Sequence, residues 1–192
     1  MNCVVVNQYT TQLIQTRRLD LHLISVEDLI TLYENPEAYS APEILRYQNP
    51  HRVLIDNSGP LRWRVPQVKR DPSLNKWFVR FIVLRETQDV VGSISFHAEP
   101  DSDGMIEIGL GVEPEFENNG FATEALEGMW QWVSMQPCVR TLRYTVSPSN
   151  APSQRIIQKF GFTHVGVQID EEDGPEDIYE MSAADYLARF PR

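Results

Sequence analysis

The sequence predicts a mixed α/β (α+β) fold, one twisted and mostly antiparallel sheet flanked by helices. Three observations predict it. Short β-branched stretches that alternate apolar and polar residues recur from Leu19 to Met181, at the period of two that half-buried strands require. Three of them follow one another between Trp77 and Val112 with brief turns between, as in a meander. The apolar period then changes: Ala122, Ala125, Leu126, Met129, Trp130 and Val133 recur at helical spacing along one face.

Each element can be justified in order. Leu19 to Ile24 alternate as a first strand. Ser25 caps a helix with Asp28 as its capping-box partner; Val26, Leu29, Ile30 and Tyr33 form the apolar face, and Asn35-Pro36 ends it. The segment from Ala41 to Asn75 is irregular and broken by prolines. One or two short helices are expected there, one beginning at Pro50 after Asn49. Such a segment inside a compact domain is often functional, and Tyr47 or Trp63 would wall a substrate site. Trp77–Leu84, Val90–His97 and Ile106–Val112 read as the meander. The long helix after Gly120 stops near Pro137, and Leu142–Val146 is the next strand. Ala151–Phe160 is a short helix stopped by Gly161, Phe162–Ile169 a strand, and Ile178–Met181 the last strand. Between those two, Asp170 to Asp177 read as an exposed loop with six acidic residues in eight.

A chain of 192 residues with 42% hydrophobic residues suits one domain spanning 1–192, with 1–15 as a flexible or accessory segment. No apolar run approaches the roughly 20 residues needed to span a bilayer. The start, Met-Asn-Cys-Val-Val-Val-Asn-Gln, lacks the form of a secretory signal. Cys3 and Cys138 have neither disulfide-framework density nor metal-ligand spacing, so a cytoplasmic protein with free thiols is expected. The formal charge of −10 argues against nucleic-acid binding and favours a cationic acceptor such as an amine. Arg62, Arg64, Lys69, Arg70, Lys76 and Arg80 are opposed in their span only by Asp71, and the plain reading of that run is a solvated surface.

Two stretches carry chemistry. The first is Met105–Leu126, where a strand ends at Pro114 and a polar turn, Glu117 to Gly120, feeds a helix. Unpaired N–H groups at the positive end of a helix favour phosphate or diphosphate, although an ordinary strand–loop–helix connection has the same pattern. The second is Asn150–Phe162, where Asn150 and Ser153 stand at a helix amino terminus.

Together these stretches resemble the GNAT superfamily of N-acetyltransferases, and within it the Rim-type ribosomal-protein and small-amine acetyltransferases. The resemblance rests on Thr16-Arg-Arg-Leu-Asp-Leu, Val91-Gly-Ser-Ile, Ile106-Glu-Ile-Gly, Gly120-Phe-Ala-Thr-Glu-Ala, and Asn150-x-x-Ser153 followed by Gly161-Phe162. Each motif is short, and it is their joint order that is specific.

The resemblance implies acetyl-coenzyme A as cosubstrate, no metal, and direct transfer to an amine without an acyl-enzyme. It implies a cleft between the strand ending near Val112 and the strand Leu142–Val146, with the backbone of Leu110, Gly111 and Val112 pairing with the pantetheine arm. It implies that the N–H groups of Glu117, Asn118, Asn119, Gly120, Phe121, Ala122 and Thr123 hold the diphosphate, with Asn150 and Ser153 facing the thioester. A homodimer is expected on the same analogy.

The reaction needs a neutral amine and a proton for the leaving thiolate. A lysine acceptor (pKa ~10.4) differs from an α-amine (~7.7–8.0) by roughly 3.5 kcal/mol in supplying that neutral form at pH 7. Glu107, between Ile106 and Ile108, is the candidate base, since burial raises a carboxyl's pKa. His97 is the rival, and His22, His51 and His164 lack the partner spacing of a metal site or triad. Ser153 is the candidate donor to the sulfur. Many relatives carry a tyrosine four residues further on, but here that position is Ile157. Glu117 also departs from the family, which usually has Gln or Arg there; a carboxylate beside a diphosphate is repulsive unless it points away. The Arg62–Arg80 run would be one compensation. An acetyltransferase acting on a peptide α-amine or small amine leads, and a non-catalytic acyl-coenzyme A-binding module is the alternative. A dinucleotide oxidoreductase is set aside because Gly109-x-Gly111 runs into Pro114.

Overall fold

A computed structural model of the chain describes residues 13–39, 47–170 and 174–191. The expectations placed on Cys3, on positions 41–46 of the irregular segment and on the acidic tip at 171–173 fall outside them. Eight strands make one sheet, in the order β1 (Leu13–Gln15), β2 (Leu19–Leu23), β3 (Arg80–Leu84), β4 (Asp89–Phe96), β5 (Met105–Val112), β6 (Thr141–Val146), β8 (Gly174–Ser182) and β7 (Thr163–Asp170). All neighbours are antiparallel except β5 and β6, which run parallel. The helices are α1 (Val26–Glu34), α2 (Leu61–Arg70), α3 (Phe121–Ser134), α4 (Ala151–Phe160) and α5 (Ala183–Arg189). This is the mixed, mostly antiparallel sheet with flanking helices that the periodicities predict.

Helix α3 packs against β1, β2 and β5 and touches α5, while α1 and α2 pack on each other. The centre is aromatic: Trp77 meets Trp132 at 5.6 Å between ring centroids, Phe96 meets Trp130 at 6.1 Å, and Trp130 meets Phe162 at 5.6 Å. Each such ring removes on the order of 150–250 Å² from water, about 4–6 kcal/mol before the entropy of ordering.

Several boundaries move. Trp77 belongs to a 3-10 turn, Pro72–Trp77, so β3 starts only at Arg80. In α1 the buried residues are Leu29 and Leu32, and Tyr33 is exposed. No helix begins at Pro50: Asn49 bonds instead to Val53 through both its amide oxygen and nitrogen, closing a turn, and the helix of this region is α2. Gly174–Asp177 are strand rather than loop, because they pair with Val167–Asp170. Strand β1 and helix α5 are additions; α5 starts at the Ser182 cap, whose hydroxyl accepts from the Asp185 N–H at 2.9 Å.

The expectation of free thiols is corrected at Cys138, which is disulfide-bonded. Two cysteines give no framework spacing, so the pairing depends on tertiary proximity, which periodicity does not report. Nor is the Arg62–Arg80 run a solvated surface throughout. Arg64 and Arg80 are buried, and Arg80 stands over Trp132 at 5.2 Å from its centroid.

Candidate active site

Only Met105, Ile106 and Glu107 of β5 pair with β6, opposite Thr141, Leu142 and Arg143. Beyond them β5 stays with β4 and β6 stays with β8, so the two parallel strands part. From Ile108 to Val112, β5 is hydrogen-bonded into the sheet along one edge, and no described strand takes the other. Close approach at Gly92 sets this edge. A Cβ there would lie 2.3 Å from the Gly111 carbonyl oxygen, whereas one at Gly111 would meet nothing within 4 Å.

At the point of parting stands Glu107. Its carboxylate accepts from the Thr145 hydroxyl of β6 and lies 3.4 Å from Nδ1 of His97, so the two candidate bases are neighbours. Glu107 is 16% exposed. Desolvation raises its pKa above the usual carboxylate value, against the opposing Thr145 hydrogen bond and the Arg143 and Arg64 charges. Desolvation, then Arg64, lowers His97 to about 4, although 45% of that side chain remains exposed. At that value the imidazole is neutral at pH 7.

Consecutive residues of a strand face opposite sides of a sheet. Thr145 therefore serves Glu107 on one side, while Tyr144, buried on the other, donates to Ser153 Oγ at 3.3 Å. Asn150 Oδ1 accepts from the Ser153 N–H at 3.1 Å, so Asn150 caps α4 and holds Ser153 in its first turn. Burial raises the Tyr144 pKa, keeping its hydroxyl protonated.

The turn before α3 contains two residues with positive φ. Asn118 has φ 60° and Gly120 φ 77°, the left-handed region that asparagine and glycine tolerate. The Glu117 N–H bonds to the Pro114 carbonyl at 3.3 Å. The N–H groups of 118–123 meet no backbone carbonyl among the described residues. Phe121 points its ring into the core, so only its backbone faces the turn. The Glu117 side chain is exposed, and the cation at this turn is Arg18, not the Arg62–Arg80 run. Arg18 donates to the Asn119 carbonyl at 3.0 Å, covers the Phe121 ring at 4.5 Å and is anchored by Glu124 at 2.7 Å. Asn119, Gly120 and Thr123 line a cavity of about 840 Å³ with Arg17, Arg18 and Lys159.

A second cavity, of about 570 Å³, opens on the Glu107 side of the splay. Glu107, Leu110, Gly111 and Val112 line it, with His97 and Thr145. The irregular segment contributes Leu54, Trp63 and Arg64, and the acidic segment contributes Asp170 and Glu176. Tyr47 does not; it packs in the core against Phe81. Of the predicted site residues, Glu117, Asn118, Phe121, Ala122, Asn150 and Ser153 line neither cavity.

Sequence reasoning missed Thr145, Tyr144, Arg18 and Arg64. Strand alternation at Tyr144–Thr145 held the first signal, and the other two needed tertiary contacts. Among the described residues no group of three or more His, Cys, Asp or Glu could hold a metal ion. No helix among them is long and apolar enough to cross a membrane.

Residues 18–163 match the family model described as the acetyltransferase (GNAT) domain. N-acetyltransferase p20 of Bacillus licheniformis is 27% identical over 171 residues, covering 87% of this chain and 93% of its own. The ribosomal-protein-S5-alanine acetyltransferase of Vibrio fischeri superposes with a TM-score of 0.63 at 12% identity, covering 91% of this chain and 98% of that one. The microcin C7 self-immunity acetyltransferase MccE, solved with acetyl-CoA and AMP, superposes with a TM-score of 0.58 at 16% identity, covering 86% and 93%. A parted pair of parallel strands, a turn of unpaired amides at the head of α3 and a family match over three quarters of the chain agree: this protein is an acetyltransferase and belongs to the GNAT family.

Proposed function

We propose that the protein transfers the acetyl group of acetyl-CoA directly to a primary amine, either a peptide α-amine or a small amine. The observation that carries this reading is Glu107, a desolvated carboxyl held by Thr145 where β5 and β6 part, facing a cavity large enough for an acceptor. MccE is solved with acetyl-CoA, and a RimL relative with coenzyme A. The fit here rests on this chain's own features: the unpaired edge of β5 at Leu110–Val112, the side-chain-free Gly111, and the amides of 118–123. These amides and the α3 dipole suit a diphosphate.

Bound acetyl-CoA supplies a thioester carbonyl, at which the C–N bond forms as the C–S bond breaks. Glu107 takes the proton released by the attacking amine. Ser153 donates its hydroxyl hydrogen toward the departing sulfur, and Tyr144 donates to Ser153 in turn. Thiol release from acetyl-CoA with a panel of amines tests the reading; release with no amine overturns it.

The second reading, a non-catalytic acyl-CoA-binding module, is favoured by one observation, the Glu117 carboxylate in the diphosphate turn. Its exposed position lets it point away from the turn. Calorimetry should therefore give Glu117→Gln an acetyl-CoA affinity close to that of the wild type; a large gain would favour the module.

Two further parts of the reading concern the protein in its cell. The expected homodimer would use edge strand β7, where Val165, Val167 and Ile169 are 53%, 68% and 76% exposed on a strand paired with β8 along one side only among the described residues. Light scattering giving one chain mass would reject it. A cytoplasmic location is opposed by the bonded Cys138, because cytosolic thiols are kept reduced. Free thiols in protein trapped directly from cells would support a cytoplasmic location, and an intact bond there would place it elsewhere.

A further inference from the structure

Helix α2 carries a charge that the acetyl-transfer chemistry leaves unused. Its inward face is Leu61, Val65 and Val68, all essentially inaccessible, and Arg64 lies on the same face at 5% exposure. Buried arginines are ordinarily paired, since an uncompensated charge out of water is costly. Arg64 has no hydrogen-bond or ion-pair partner among the described residues, and its Nε is buried without one. Its ring contact among the described residues, with Phe78, is 5.7 Å from the centroid, near the outer limit for a cation–π attraction. Burial lowers its pKa to about 10, which still leaves it charged at neutral pH.

Arg64 lines the same 570 Å³ cavity as Glu107, and its charge acts on both Glu107 and His97 without a direct pair to either. The other charged residues of the lining are the carboxylates Glu113, Asp170 and Glu176. One cation among several anions suits a monoanion better than a phosphate. Resting on the acetyltransferase reading, we infer that the acceptor is a small zwitterion of the α-amino-acid type, with its amine at Glu107 and its carboxylate on Arg64. A protein amino terminus brings an amide, not a carboxylate, next to its amine. The inference therefore selects the small-molecule branch of the acceptor class.

The test compares the standard α-amino acids with their carboxamides, by thiol release and by calorimetry with the unreactive N-acetyl amino acids and N-acetyl amino amides. For at least one side chain, the wild type should favour the acid over the amide by roughly 30-fold or more in kcat/KM, as for a lost buried charge contact. Arg64→Gln should abolish the preference and Arg64→Lys restore part of it, with the KM for acetyl-CoA unchanged. If Arg64 acted only by tuning Glu107, Arg64→Gln would instead shift the pH profile equally for acids and amides. Equal use of acids and amides by the wild type overturns the inference, whether or not the variants fold, and so does failure to use or bind any acid. Turnover of other amines without a carboxylate preference would leave acetyl transfer standing and this inference rejected. Arg64-dependent binding of N-acetyl amino acids without any turnover would do the reverse.

Discussion

Glu107 connects stability and activity through one proton. Burial raises its folded pKa above the unfolded value, so the folded chain holds that proton more tightly. This contribution to stability is fully present below the unfolded pKa and is lost as pH rises through the folded pKa. Glu107→Gln, which cannot ionise, should therefore have a higher Tm than the wild type at pH 7, with the two converging near pH 4. Its kcat/KM should fall by roughly 10²-fold or more, and the acid limb of the pH–rate profile should disappear. A Tm equal to that of the wild type at pH 7 would mean that the carboxylate is not desolvated. At Ser153 the expectation is different: Ser153→Ala should lower turnover more than acetyl-CoA affinity, and unchanged turnover would reject the donor role. Residues such as Glu107 were legible because apolar residues on both sides mark a strand with one face to spare. Arg64 was not, since six cations in a run look alike until the fold turns one inward.

At the scale of elements, the cradle on β5 depends on its neighbour β4. Gly92→Ala would set a methyl group against the Gly111 carbonyl oxygen, within 2.3 Å of where it now lies. Either β5 moves or the strands part, so urea unfolding should show a loss of about 1–3 kcal/mol together with weaker acetyl-CoA binding. Full stability and affinity would show that β5 yields freely. The head of α3 is held by Glu124, whose carboxylate accepts from the Thr16 hydroxyl at 2.7 Å and from the Arg18 N–H at 2.6 Å. Desolvation opposes its charge, but these bonds and the Arg18 guanidinium win and lower its pKa. Glu124→Ala should cost about 2–3 kcal/mol and release Arg18 from the diphosphate turn. Local chemistry made α4 readable to the residue: Asn150 caps it and Gly161, at φ 74°, ends it. The start of β3 was not readable, because Trp77–Val79 are apolar whether they turn or extend.

For the whole molecule, short connections join β1 to β2 and β3 through β5, the chain between β2 and β3 carries α1 and α2, and the one parallel pair follows from the crossover through α3. Three residues of pairing and then separation leave a gap through the sheet, with Glu107 and Thr145 on one side and Tyr144 and Ser153 on the other. The family motifs implied that gap, but the contacts that equip it lie 9 to 38 residues apart in sequence. No periodicity records such pairings. Diffraction from crystals of the acetyl-CoA complex tests the central claim most directly. The account predicts a diphosphate on the amides of 118–123, the pantetheine arm along Leu110–Val112, and the thioester in the gap between Glu107 and Ser153. A cosubstrate bound away from that turn, with Ser153 remote from its sulfur, would contradict it.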